Sequence, residues 1–242
     1  MIIGLCMARN EEAIIGQVID HLYANGVDRI IIEDGHSTDL TYAIAVEHGA
    51  TVIRETDRAY DQAARMTRLA AEWCDPDDWV IPFDADEFWY SDLGTIRQAL
   101  TDCDAVKCAA RMWLHRDWDH RAIDPKPLPK MAFRYQTGAQ IAFGNHSVSI
   151  PGHERYGILN IREWQYRSLE HLREKVAKQR ELLDNTPGMD RMFGSHKNHL
   201  VGMTDSELGD EWVRMQAGDW TFDPIPSLSS PPSTGRVSLP TA

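Results

Sequence analysis

Apolar residues along the first hundred positions follow two alternating rhythms. Short runs rich in β-branched side chains occupy 2–7, 29–33, 51–54 and 79–83, each the length of a strand. Between them the spacing changes to helical period. Ile14, Ile15, Val18, Ile19, Leu22 and Tyr23 fall on one face of a helix over 11–25, with Asn10 as its N-cap and Gly26 as its stop. The turn Asp34-Gly35-His36-Ser37-Thr38-Asp39 leads into a second helix ending near Gly49, and a third covers 61–74. Strands and helices in this alternation build parallel strands joined by right-handed crossovers. Runs such as Ile30-Ile31-Ile32 suit a sheet covered on both faces, so the fold class is α/β.

The second half is less regular. Residues 105–110 read as a strand, 117–129 as a charged, proline-containing loop, and 168–183 as an amphipathic helix. Ser168 is its N-cap, and Leu169, Leu172, Val176 and Leu183 form its buried stripe. From Pro224 onward Pro and Ser dominate, too little apolar surface to offset the entropy of ordering, so 224–242 reads as a flexible tail behind one domain over 1–223.

Charge narrows the partners. With 25 Lys+Arg against 37 Asp+Glu the chain carries −12, which repels phosphate backbones and anionic lipid and disfavours nucleic acid and membranes. The opening apolar run lacks a basic flank and is too short to span a bilayer. Cys6, Cys74, Cys103 and Cys108 show neither C-x-x-C nor zinc-ligand spacing, so they are expected as buried free thiols in a cytoplasmic protein.

Ligands of open α/β sheets bind beyond the carboxyl ends of the strands. Three polar clusters fall there: Ala8-Arg9-Asn10-Glu11-Glu12, the Asp34 to Asp39 turn, and Asp84-Ala85-Asp86-Glu87. The last is the sharpest. Carboxylates this close repel one another unless a cation sits between them, and a hard divalent ion shared with substrate phosphates meets that need. Several rivals lack their signatures. No G-x-G-x-x-G follows the first strand, and no P-loop is present. An aspartyl phosphohydrolase places its D-x-D-x-[TV] after the first strand, whereas Phe88 stands here where Thr or Val belongs. A nucleotidyltransferase expects a glycine-rich basic loop after strand one. The non-enzymatic alternative is a nucleotide-sugar-binding module that has lost catalysis, against which the intact Asp84/Asp86 pair argues and for which the missing base signature speaks.

Taken in order, these three clusters, with Gly144-Asn145-His146-Ser147 and Tyr166-Arg167-Ser168-Leu169-Glu170, make the chain resemble glycosyltransferase family 2, in particular its short bacterial and viral branch. The resemblance covers most of residues 1–200. It implies a GT-A fold with a nucleotide-sugar half over 1–110 and an acceptor half over 111–223. It implies a nucleoside-diphosphate sugar as donor, UDP-sugars favoured, and transfer to a hydroxyl with inversion. Ala8, Arg9, Asn10 and Glu12 would line the nucleoside pocket with Ser37 and Ala85, and Asp34 would contact the base. Asp84 supports the ribose and metal side, and Asp86 ligates Mn2+ or Mg2+, with His146 a further candidate ligand. Glu12 reads equally as a charge in the first helical turn, and Asp39 as a cap of the next helix. Arg65 and Lys130 are candidates to neutralise phosphate.

Two departures bear on catalysis. Glu163-Trp164 stands where relatives have His-Tyr, and no Glu-Asp pair follows Asp119 to supply a base. Glu163 and Glu154 are then the candidates, Glu163 ahead. Trp113, Trp118, Tyr135, Tyr156, Trp164 and Tyr166 give the second half aromatic faces for an acceptor, expected to be a saccharide or a protein side chain.

Overall fold

The computed structural model describes residues 1–55, 61–115, 120–185, 200–217 and 222–224. Most of the tail read from composition, Trp118 and part of the loop at 117–129 lie outside the described residues. The first half alternates β1 (Ile2–Ala8), α1 (Ile15–Ala24), β2 (Arg29–Asp34), α2 (Thr41–Glu47), β3 (Thr51–Arg54), α3 (Gln62–Trp73) and β4 (Trp79–Phe83). There follow β5 (Glu87–Tyr90), α4 (Ile96–Thr101), β6 (Lys107–Leu114), β7 (His120–Ala122), β8 (Lys130–Arg134), β9 (Gln140–Ile141), β10 (Val148–Ser149) and β11 (Glu154–Glu163). Two helices, α5 (Leu169–Asn185) and α6 (Asp205–Ala217), and a short β12 (Phe222–Pro224) complete it.

Eight strands form one sheet in the order β3-β2-β1-β4-β8-β6-β11-β5. β1 lies parallel between β2 and β4, and β8 runs antiparallel to both β4 and β6. β6 and β11 are parallel to each other. The carboxyl ends of β1, β2, β3, β4, β6 and β11 therefore share one edge, where β8 and β5 begin. Four inter-strand spacings, about 19 Å, separate β5 from β4 in a flat sheet. The link from Phe83 to Glu87 reaches at most about 14 Å. The sheet must curl, and the curl returns β5 to the end of β4.

Strand alternation divides the core in two. Ile2, Cys6, Ile30, Ile32 and Phe83 meet α1 through Ile15, Val18, Ile19 and Leu22. Ile3, Leu5, Ile31 and Val80 meet α3 through Met66, Leu69 and Ala70. Each fully buried Ile or Leu contributes about 1.5–3 kcal/mol, which accounts for the unbroken Ile30-Ile31-Ile32 run. A third cluster is separate: Leu172 and Val176 of α5 pack with Leu200, and with Leu208 and Met215 of α6.

Several expectations hold and others are corrected. Gly26 does stop α1. Its φ is +91°, and a Cβ there would lie 2.6 Å from Arg97 Cβ, a place for glycine alone. Ser168 caps α5 by accepting the His171 N–H at 3.1 Å. Asn10, however, is not the cap of α1. Residues 11–14 form a turn before the helix, and Ile14 occupies the cap position with no side-chain bond. The strand expected at 105–110 runs over Lys107–Leu114. Within the segment expected as loop, β7 pairs with β12. All four cysteines are free and buried. No helix of the described residues is long and apolar enough to cross a membrane.

Candidate active site

The carboxyl edge of the sheet is assembled from loops that hold one another. Asn10 takes the left-handed conformation at φ 52°, its N–H donating to Ser37 Oγ at 2.9 Å and its Oδ1 accepting the Thr38 N–H at 2.8 Å. Glu12 Oε2 accepts the Leu40 N–H at 2.8 Å, and the Glu11 N–H donates to Thr41 Oγ1 at 2.7 Å. Asp39 accepts the Thr41 N–H at 3.0 Å just before α2, but Leu40 occupies the cap position. The polar residues after β1 and after β2 thus stitch two loops into a rigid lip. Asn10, Glu12 and Ser37, expected in the nucleoside pocket, spend their side chains on this lip. Ala8 contributes its carbonyl, which accepts the Gly35 N–H at 2.8 Å. Asp34 lies buried at the base of the lip, its Oδ1 3.3 Å from the Ser37 N–H.

The turn after β4 brings three acids together. Asp84 and Glu87 exchange bonds across it, Asp84 N–H to Glu87 Oε2 at 3.0 Å and Glu87 N–H to Asp84 O at 3.1 Å, around Ala85 at its apex. Lys130, at the start of β8, reaches Asp84 at 2.6 Å and Glu87 at 2.8 Å. Asp86 is paired with Lys175 of α5. Burial pushes Glu87 up to about 8; Lys130 opposes the rise, and Asp84 and Glu163 add to it. Two lysines of the chain, Lys130 and Lys175, offset the charge of these acids.

Glu163 arrives at the same place. It ends β11 opposite Glu87 in the β5 register, and the Trp164 N–H donates to the Asp86 carbonyl at 3.0 Å. Its Oε2 lies 2.5 Å from Lys126 Nζ. Glu154 begins the same strand, nine residues of extended chain away, or about 30 Å. It sits at the amino edge, paired in register with Lys107, and does not belong to this site.

Other expected contacts are redirected. Arg65 is buried in ion pairs with Glu33 at 3.4 Å and Glu55 at 3.5 Å, so its charge serves protein acids. Lys130 is likewise held by acids of the turn. His146 keeps its Nδ1 on the Pro129 carbonyl at 2.8 Å, and burial lowers its pKa. It does not join Asp84 and Asp86: the described residues hold no group of three or more His, Cys, Asp or Glu arranged around a metal. A divalent ion fits the position on other grounds. Asp84 and Asp86 are hard oxygen donors already facing cations, and Mg2+ or Mn2+ of this kind takes its remaining ligands from phosphate and water. Of the aromatic residues expected to face an acceptor, Tyr135 and Trp164 are buried in the sheet cores. Trp113 lies beneath the Arg121 guanidinium at 4.0 Å. Tyr156 is exposed but belongs to the amino half of β11.

The sequence predicts the helix α5 but not the role of its polar stripe at the site. His171, Lys175 and Lys178 fall at i, i+4 and i+7, one stripe at helical period, and the stripe meets the edge. Lys178 Nζ donates to the carbonyls of Asn10 at 2.6 Å and Arg9 at 3.1 Å. Arg167 reaches Glu11 at 3.2 Å, and Arg9 pairs with Glu181 at 2.8 Å. A polar stripe of this kind looks in sequence like a solvated face.

No curated protein sequence matches the chain. Among solved structures it is similar to mannosyl-3-phosphoglycerate synthase from Rubrobacter xylanophilus (23% identity, 46% of this chain, 40% of that one, TM-score 0.38). It is similar to glucosyl-3-phosphoglycerate synthase from Mycobacterium tuberculosis, solved with Mn2+, UDP and glucosyl-3-phosphoglycerate (22%, 48% and 44%, 0.36). It is also similar to TarS 1–349 from S. aureus (10%, 88% and 78%, 0.47). The match spans less than half the length of the first two. The family model described as glycosyl transferase family 2 matches residues 6–190, which include every element that builds this edge, and the chain belongs to that family.

Proposed function

We propose that the chain moves a sugar from a nucleoside-diphosphate sugar, UDP-sugars favoured, to a hydroxyl acceptor with inversion, and that it uses Mn2+ or Mg2+. One observation carries the reading within the family: Asp34, Asp84, Asp86 and Glu163, far apart in the chain, converge on a single sheet edge. Asp34 takes the base of the nucleotide, and the Ala8 and Arg9 backbone with Ala85 lines the nucleoside. Asn10, Glu12 and Ser37 act one step back by holding the lip rigid. Asp84 and Asp86 hold the ion. When bound, the ion supplies positive charge against which the departing diphosphate is stabilised.

Glu163 is the base. Direct displacement needs a carboxylate to take the acceptor proton as the hydroxyl attacks the anomeric carbon. Glu163 stands beside the Asp84 to Glu87 turn, and Lys126 fixes its carboxylate. The acceptor is a saccharide or a protein side chain, and free thiols fit a reducing, cytoplasmic setting.

A screen of nucleotide-sugars for protection against thermal unfolding tests the reading. A ligand that binds only the folded state raises the midpoint even without an acceptor. The expected result is a rise with a UDP-sugar that depends on Mn2+ or Mg2+. No rise with any nucleotide-sugar in the presence of either ion would overturn it.

A further inference from the structure

Lys175 and Lys130 both neutralise acids of the Asp84 to Glu87 turn, but they are held differently. Lys130 sits on a sheet strand, is 3% exposed and is clamped between two carboxylates. Lys175 comes from α5, whose apolar residues Leu172 and Val176 pack toward α6 in a cluster separate from both sheet cores. Ion pairs and hydrogen bonds join α5 and its leading turn to the lip and the acidic turn: Arg167 and Lys178 with Glu11, Lys178 with two carbonyls, Glu181 with Arg9, Lys175 with Asp86. A helix attached through exchangeable charges can release one of them without disturbing a core.

Building on the proposed donor and metal chemistry, we propose that Lys175 is the stand-in cation of Asp86 in the donor-free protein. It is exchanged for the divalent ion when the nucleotide-sugar arrives and then holds the donor's diphosphate. An ammonium and a divalent ion on one carboxylate repel each other and share its charge, so each weakens the other's hold. Once displaced, the ammonium stays within a few ångströms on its flexible stem. A diphosphate carrying one divalent ion is still negative and offers it oxygens. Lys175 thus holds the Asp86 carboxylate in place until the ion replaces it, and then serves the diphosphate.

The test separates this hand-over from the metal assignment beneath it. Mn2+ binding is measured by paramagnetic resonance of the free ion on nucleotide-free protein, and UDP binding with Mn2+ present by calorimetry. Lys175→Met keeps the apolar stem and removes the competing charge. It is expected to bind Mn2+ about tenfold more tightly than the parent and UDP with Mn2+ about tenfold more weakly. Lys175→Arg, whose planar fork holds a carboxylate better, is expected to bind Mn2+ more weakly than the parent and keeps the test open if the Met variant folds poorly. Adding Asp86→Asn to Lys175→Met should remove Mn2+ binding. Unchanged or undetectable Mn2+ binding in Lys175→Met, or unchanged binding in Lys175→Arg should the Met variant not fold, overturns the hand-over. If Asp86→Asn leaves Mn2+ binding intact in the Lys175→Met background, the metal assignment fails first and the hand-over with it.

Discussion

At the amino ends of the strands, Asp28 accepts the Ile2 N–H at 2.8 Å and meets Arg97 at 2.5 Å. Burial would lift its pKa, yet these two partners hold it below the ordinary carboxylate range. At the carboxyl ends, burial lifts Glu87 to about 8, with Asp84 and Glu163 adding to the rise despite an adjacent lysine. Both ends of one sheet are charged, but an acid at the first end closes a loop, while at the second a buried acid lies among others and lysines gather to compensate. Crowded like charges are tolerated where chemistry needs them, and perturbed groups gather there.

Removing one acid from each end should break that symmetry most sharply. Asp86→Ala is expected to lower sugar transfer by about a thousandfold or more, because the charge on the departing diphosphate loses its support. Its nucleotide binding should weaken only when Mn2+ or Mg2+ is present, and EDTA should reproduce the loss in the parent. Asp28→Asn should leave the turnover of folded protein unchanged. Steady-state kinetics on both variants decides it, and near-normal turnover in Asp86→Ala would mean that the crowded end is merely structural.

The two glutamates of β11 sharpen the comparison, since one strand carries both to opposite ends. Glu163→Gln is expected to lower the transfer rate by about a hundredfold, the usual contribution of a positioned base. Glu154→Gln should leave it as in the parent. Loss of base function should appear in kcat, with donor binding by calorimetry little changed. Equal effects from the two substitutions, or none from Glu163→Gln, would remove Glu163 from the mechanism.

What could be read from the sequence followed the range of the forces involved. β1, β2 and β4 were visible because they are buried on both faces, so burial writes itself into consecutive residues such as Ile30-Ile31-Ile32. The Asp84/Asp86 turn was visible because it directly follows such a strand. β5 was not, since its position is set by the curl of the whole sheet. Asn10 looked like a cap because caps favour its side chain, but a bond to Thr38 from the neighbouring loop won the competition. Arg65 looked available for phosphate because Glu33 and Glu55, which hold it, come from other elements. Lys175 and Lys178 were hidden among the charges of an amphipathic helix, and only the placement of α5 across the lip gives them a role.

Two buried histidines give the smallest effect and bear on how α5 is seated. His171 of α5 accepts the Arg167 N–H at Nδ1 at 3.2 Å, which requires that nitrogen unprotonated, and its Nε2 faces Glu11 at 3.9 Å. Burial, then Lys175 and Arg167, push its pKa down to about 2, against the pull of Asp86, with Lys178 adding to the fall. His21 of α1, bonded to the Trp89 carbonyl at 2.7 Å, is pushed down by burial to about 4. In both cases the unfolded chain takes a proton near the ordinary histidine value while the folded chain refuses it. Their stabilising effect is therefore complete above about pH 6.5 and is lost as pH falls below it. Each should cost on the order of 1–2 kcal/mol of stability between pH 7 and pH 5. His171→Asn keeps an acceptor near Nδ1 and removes the titration, so denaturant unfolding at the two pH values should show a loss smaller by on the order of 1–2 kcal/mol. An unchanged loss would mean that α5 lifts off the lip before His171 is charged, which would make its ionic seat weaker than the apolar seat of α1.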